Sequence, residues 1–72
     1  MKAKIHLDTM GAINKFVNIC SKLNYPIHLT DGNEYRVSAK SLLGAIAAFD
    51  WSEVYIECQY DIRSQVEEFL AE

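Results

Sequence analysis

Residues that usually announce chemistry are scarce in this chain: proline occurs once, glycine three times, and cysteine and histidine twice each among 72 residues. Gly11, Gly32 and Gly44 stand singly, at a helix start, a turn and within a helix, so no Gly-rich phosphate loop can be assembled. Cys20 and Cys58 lie far apart without CxxC spacing, each in the apolar phase of its own segment, and read as buried reduced thiols. His6 and His28 have no Cys, Asp or Glu at metal-ligand spacing and fall on the polar phase of strands. Neither is assigned a role, and no metal or cofactor is expected. No nucleophile triad is present, and Glu67-Glu68 reads as a hydrated surface pair. The chain is therefore not expected to be an enzyme.

Charge and hydropathy exclude further classes. Ten acidic side chains outnumber seven basic ones, without a basic cluster, which argues against nucleic acid or anionic lipid as partner. No apolar run approaches the ~20 residues that span a bilayer. Met1-Lys2-Ala3-Lys4 leads into alternating residues instead of a signal-peptide core, so a cytoplasmic location is expected.

Half of the residues are hydrophobic, enough for one folded domain over residues 1–72 with a core near the lower limit of size. Ala3, Ile5 and Leu7 alternate with Lys2, Lys4 and His6, the period of a half-buried strand. Asp8 or Thr9 can cap a helix whose stripe is Met10, Ile13, Phe16, Val17, Cys20 and Leu23, ending near Asn24. After Pro26, Ile27 and Leu29 alternate with His28 and Thr30; Asp31-Gly32-Asn33 makes a hairpin turn, and Tyr35, Val37 and Ala39 alternate with Arg36, Ser38 and Lys40. A short helix from Leu42 to about Ala48 is followed by a Phe49-Asp50-Trp51-Ser52 loop. A fourth strand then places Val54, Ile56 and Cys58 on one face. Asp61 can cap a last helix that buries Ile62, Val66, Phe69 and Leu70, while Arg63, Glu67, Glu68 and Glu72 face water.

Strand, helix, strand, strand, helix, strand, helix is an α/β (α+β) order. Setting all three helices on one face of a four-stranded antiparallel sheet buries every stripe, which predicts an open-faced β-sandwich of order βαββαβα. A split βαβ, ferredoxin-like arrangement has nearly the same order and is not separated from it by periodicity.

One stretch stands out, Ser38-Ala39-Lys40-Ser41-Leu42-Leu43-Gly44-Ala45-Ile46. Ser41 directly precedes an apolar run and is placed to cap the second helix through its hydroxyl. A helix of under three turns can bury only part of so apolar a surface. Two readings stay open for Leu42, Leu43 and Ile46: all three are core, or one or two are exposed beside Ser41 as a docking patch. Phosphate on Ser41 would add about two negative charges at a helix N-terminus, which favours them by ~0.3 to 1 kcal/mol.

Here the chain resembles the HPr family, the small histidine-containing phosphocarrier proteins of the sugar phosphotransferase system. The element order matches over nearly the full length, with local matches at Val17-Asn18-Ile19-Cys20-Ser21-Lys22-Leu23 and Lys40-Ser41-Leu42-Leu43-Gly44. The second is similar to the family's Lys-Ser-Ile-Met-Gly signature, whose serine is phosphorylated by a regulatory kinase in many Gram-positive bacteria. The resemblance implies that Ser41 inherits that regulatory role and that Lys40, Leu42, Leu43 and Ile46 form a partner surface. It implies partners of the phosphotransferase and carbon-regulation type: HPr kinase, enzyme I-like proteins or transcriptional regulators. The family's Gly-x-His-Ala-Arg-Pro-Ala at the start of the first helix is replaced by Asp8-Thr9-Met10-Gly11-Ala12-Ile13-Asn14, without the phosphate-accepting histidine, the arginine or the proline. A regulatory, non-catalytic role is therefore the leading expectation; the alternatives are an unusual phosphocarrier using His6 or another residue, and a vestigial structural domain.

Overall fold

The computed structural model describes residues 1–71; Glu72, expected to face water, lies outside them. The elements are β1 (Lys2–Ile5), α1 (Met10–Ser21), β2 (Ile27–Thr30), β3 (Arg36–Ser38), α2 (Leu42–Phe49), β4 (Val54–Cys58) and α3 (Arg63–Val66), with a 3-10 turn over Glu67–Phe69. The strands form one antiparallel sheet in the order β1-β4-β2-β3. Because each neighbouring pair is antiparallel, β1 and β2 run parallel with β4 between them, and β3 and β4 run parallel with β2 between them. A four-stranded antiparallel sheet with three helices in the order βαββαβα is the α+β arrangement expected from the sequence. Hydrogen bonding puts β2 and β4 at the centre, a choice that periodicity leaves open.

Alternation decides which sheet face meets the helices. Ala3 and Ile5 of β1, Ile27 and Leu29 of β2, and Val54, Ile56 and Cys58 of β4 are buried. Their neighbours Lys2, Lys4, His28, Tyr55 and Glu57 are exposed or half-buried on the open face. This is the one-sided burial of an antiparallel sheet covered on a single face. From above, α1 contributes Ile13, Phe16 and Cys20, and the C-terminal segment contributes Ile62, Val66 and Phe69. Phe16 and Phe69 meet edge to face, with ring centroids 5.3 Å apart at 85°. That geometry sets the positive ring edge against the negative face.

The hairpin between β2 and β3 depends on Gly32. Its φ is +82°, and a Cβ there would stand 3.1 Å from the Tyr55 ring, so both backbone conformation and space require glycine. Thr30 lies on the open face yet is buried, since Tyr55 and Arg36 stand opposite it on either side. Its hydroxyl accepts the Gly32 N–H at 3.1 Å. At the other edge, β1 is covered by the chain's own last residues: His6 N–H donates to Phe69 O at 2.7 Å and Ala71 N–H to Lys4 O at 3.0 Å. Pairing that edge removes a template for unwanted strand addition.

Besides Phe49, which closes α2 instead of opening the loop after it, four sequence expectations need correction. Met10 is 49% exposed, and the buried stripe starts at Ile13. Helix α1 closes at Ser21 with Lys22 as its cap, before Asn24. Tyr35, expected inside, precedes β3 and is 57% exposed; its ring stacks on Trp51 instead, centroids 6.0 Å apart. The last helix is a four-residue α-turn that tightens into 3-10 geometry, which still buries Val66 and Phe69. Asp61, expected to cap this helix, stands one residue before the actual cap, Ile62, which makes no side-chain cap bond; Asp61 Oδ1 accepts Arg63 N–H at 3.0 Å in a local turn.

Phe16 is fully buried at the centre of the core. Phe16→Ala should cost about 3 to 5 kcal/mol, a large share of the ~4 to 10 kcal/mol available to a domain of this size. Met10→Ala should cost under about 0.5 kcal/mol, as an exposed change does. Urea denaturation of both variants checks the contrast.

Candidate functional site

The candidate site is built where β3 hands over to α2. Ser38 is the pivot. Its Oγ accepts Lys40 N–H at 3.2 Å and its carbonyl accepts Ser41 N–H at 3.2 Å, turning the chain off the sheet edge. Ser41 then has extended backbone (φ −98°, ψ 120°), its hydroxyl accepts Gly44 N–H at 3.2 Å, and its carbonyl accepts Ala45 N–H at 2.9 Å. The expected N-cap of α2 is present, and the Ser41 side chain is exposed. It satisfies one of the amide groups that a helix start leaves without an intrahelical partner.

Helix α2 is oriented by its small residues. Ala45 and Ala48 are fully buried. A Cβ on Gly44 would come within 3.2 Å of Ser38 O and of Val37 Cβ, so glycine lets the helix lie close on β3. With small side chains inward, the large ones must turn outward: Leu43 is 81% exposed, Leu42 41% and Phe49 40%. Ile46 is half-buried and packs against the core. Leu42, Ile46 and Phe49 recur at i, i+4 and i+7 and so share one stripe, with Leu43 beside it. Neither the first turn of α2 carries an acidic residue nor its last turn a basic one. The surface is thus an uncharged apolar ridge with the Ser41 hydroxyl at one end.

Sequence reasoning singled out Ser41, Leu42, Leu43 and Ile46, which the fold brings together, but assigned Phe49 to a loop. Its i+7 spacing from Leu42 was the available signal. The stacked Tyr35 and Trp51 rings follow beyond the C-terminal end of α2. Lys40 is half-buried, and its ammonium donates to Leu23 O at 2.6 Å. It ties the turn before α2 to the chain leaving α1, so its charge is already engaged.

Lys40 also borders Cys20. Burial pushes the Cys20 thiol up from 9.0 to about 12, the proximity of Cys58 adds to this, and Lys40 opposes it. Both cysteines are buried and free. Thiolate chemistry at neutral pH is thereby suppressed at Cys20.

The histidines lie elsewhere. His6 is exposed, its Nε2 4.0 Å from Asp8 Oδ2. His28 lines a shallow cavity of about 170 Å³ on the open face, beside Arg36 and Glu57, which are paired at 3.1 Å. A second cavity of about 170 Å³ lies under Phe49 and Trp51. Both are below the ~300 Å³ at which small-molecule pockets begin; a wider depression of about 520 Å³ is lined by the polar side chains of Ser64, Gln65, Glu67 and Glu68, without the apolar lining of a ligand pocket. Among the described residues no group of three or more His, Cys, Asp or Glu side chains could hold a metal ion, and no helix is long and apolar enough to cross a membrane. At the start of α1, Thr9 Oγ1 accepts Ala12 N–H at 3.0 Å, so the expected hydroxyl cap is Thr9.

No protein-family model matches this chain, and neither a curated protein nor a solved structure matches it.

Two measurements probe this region. Ser41→Ala should destabilise by about 1 kcal/mol through loss of the cap, while Ser41→Asp, which keeps an acceptor and adds charge at the helix start, should leave stability nearly unchanged; urea melts distinguish the two. For Cys20, the folded chain keeps a proton that the unfolded chain loses. The stabilisation is complete below pH 9.0 and is lost as pH rises toward about 12. Across that window the unfolding free energy of the parent chain should fall more steeply than that of Cys20→Ala, by up to about 1.4 kcal/mol per pH unit.

Proposed function

We propose that this chain is an HPr-like protein-interaction domain of the phosphotransferase and carbon-regulation type, docking through the apolar ridge of α2 and switched by phosphorylation of Ser41. The observation that carries the reading is the inverted burial of α2, small residues inward and Leu42, Leu43 and Phe49 outward. Exposed apolar side chains gathered on one element are the usual mark of a protein-binding surface. Ile46 flanks the ridge, and Lys40 acts by holding the turn that presents it.

Ser41 suits a switch on physical grounds. Its exposed hydroxyl is accessible to a kinase, and a phosphate there would face the free amides of the α2 N-terminus, where its charge is favoured. The fold tolerates the change while an uncharged ridge acquires about two negative charges at its end. An apolar partner surface would then face a charge that it must desolvate, and docking weakens. The segment at the start of α1 lacks the family's histidine, arginine and proline, which favours regulation over phosphate carriage.

The test has two arms. Incubation with HPr kinase and ATP should place one phosphate on Ser41 by mass spectrometry, and an unmodified serine would remove the switch. Leu43→Asp should abolish capture of one specific partner from a native cell extract while the cooperative melt shifts by under about 0.5 kcal/mol. Retained capture would remove α2 as the docking element.

A further inference from the structure

Asp31-Gly32 is the one place in this chain where Asp or Asn precedes Gly. Such a dipeptide carries a reaction of its own, because a glycine nitrogen has no neighbouring side chain to shield it from the carboxyl carbon before it. Gly32 N attacks Asp31 Cγ; as the new N–C bond forms, the C–OH bond breaks, and the hydroxyl leaves with the amide proton as water. The product is a five-membered succinimide. Water then adds back. Attack at Cγ restores aspartate, whereas attack at the former main-chain carbonyl leaves isoaspartate, with the backbone running through Cβ and Cγ. Water is the co-reactant, and nothing is oxidised or reduced.

The folded hairpin holds each reacting group elsewhere. Gly32 N–H is directed onto Thr30 Oγ1 at 3.1 Å. Asp31 Oδ1 accepts Asn33 N–H at 2.9 Å and Tyr35 N–H at 3.1 Å, which pulls the carboxylate over the residues that follow. Asp31 N–H in turn donates to Tyr35 O at 3.4 Å. Gly32 sits at φ +82° under the Tyr55 ring, leaving little room to rotate its peptide toward the carboxyl carbon. To close the ring in this geometry, Gly32 N–H must leave Thr30 Oγ1 and the Asp31 carboxyl group must turn from Asn33 and Tyr35 toward the Gly32 nitrogen.

We propose that Asp31-Gly32 is an isoaspartate modification site that the β2–β3 hairpin keeps closed, open to reaction only when the hairpin detaches, and that conversion then prevents the hairpin from re-forming. The second part follows from the same bonds. Isoaspartate adds a methylene to the main chain and moves the carboxylate from Cγ to the former backbone carbon, so the acceptor of the Asn33 and Tyr35 N–H groups is lost. Because Val37 and Ser38 of β3 are the surface on which Gly44 rests, damage at Asp31 unseats α2.

The intact chain is incubated in native buffer and in urea at one pH and temperature, then digested, and isoaspartate at residue 31 is quantified by mass spectrometry. Accumulation should be slower by about tenfold or more in the folded chain, following the population of the opened hairpin. Equal rates would overturn the proposal. Thr30→Val keeps the strand's shape and removes the acceptor for Gly32 N–H, so it should accelerate the reaction in native buffer; an unchanged rate in a chain whose circular dichroism matches the parent would also overturn it. Hydrogen exchange on the purified isoaspartyl form reads the second part. Loss of amide protection at Leu29 and Val37 is expected, and full retention would refute the block on re-forming the hairpin.

Discussion

The exposed apolar ridge depends on one close approach, that of α2 to the edge strand β3. A Cβ on Gly44 would meet Ser38 O and Val37 Cβ at 3.2 Å, so a larger residue on that side of the helix would have to push the strand or the helix aside. Ala45 and Ala48 continue the thin inner face. A helix seated this low turns Leu43 and part of Leu42 and Phe49 to its other side, where the described residues leave them exposed. The exposure of Leu42 and Leu43 is therefore a consequence of where the helix sits, and it is bought at the cost of leaving large hydrophobic side chains in water.

The seat is itself held by polar contacts. Ser38 turns the backbone, Ser41 caps the helix, and Lys40 reaches across to the carbonyl of Leu23. These bonds couple the end of the β2–β3 hairpin, the exit of α1 and the start of α2, so a charge added at Ser41 would act on a junction of three elements. The hairpin, with Gly32 beneath Tyr55, supplies the platform from below. A disturbance at Asp31 and a modification at Ser41 are thus connected through a few residues of one edge strand.

Much of this was legible in the sequence. Strict alternation in residues 2–7 and 54–59 identifies two strands and the face each buries, since a period of two admits one assignment. Ser41 followed by an apolar run marks a helix start, and Asp31-Gly32 marks the hairpin, because each depends on local backbone chemistry. The errors concern position against the rest of the fold. Met10 has the correct phase for the α1 stripe but stays exposed in its first turn, Tyr35 has the correct phase for β3 but precedes it, and Phe49 extends α2 where a loop was expected. The last helix tightens into a 3-10 turn because its residues must also reach back to pair with β1 at Ile5 and Leu70.

By itself the amino-acid order determines which segments are strands and helices, where Ser41 caps and where the chain must turn, for these are settled by contacts a few residues apart. It also determines that α2 is apolar all around, which leaves open whether Leu42, Leu43 and Ile46 are core or surface. That choice belongs to the tertiary structure. Only when the helix is laid on β3 do Gly44, Ala45 and Ala48 come to lie beneath it, and that seating against the neighbouring strand, not any preference of the helix itself, turns the leucines to solvent.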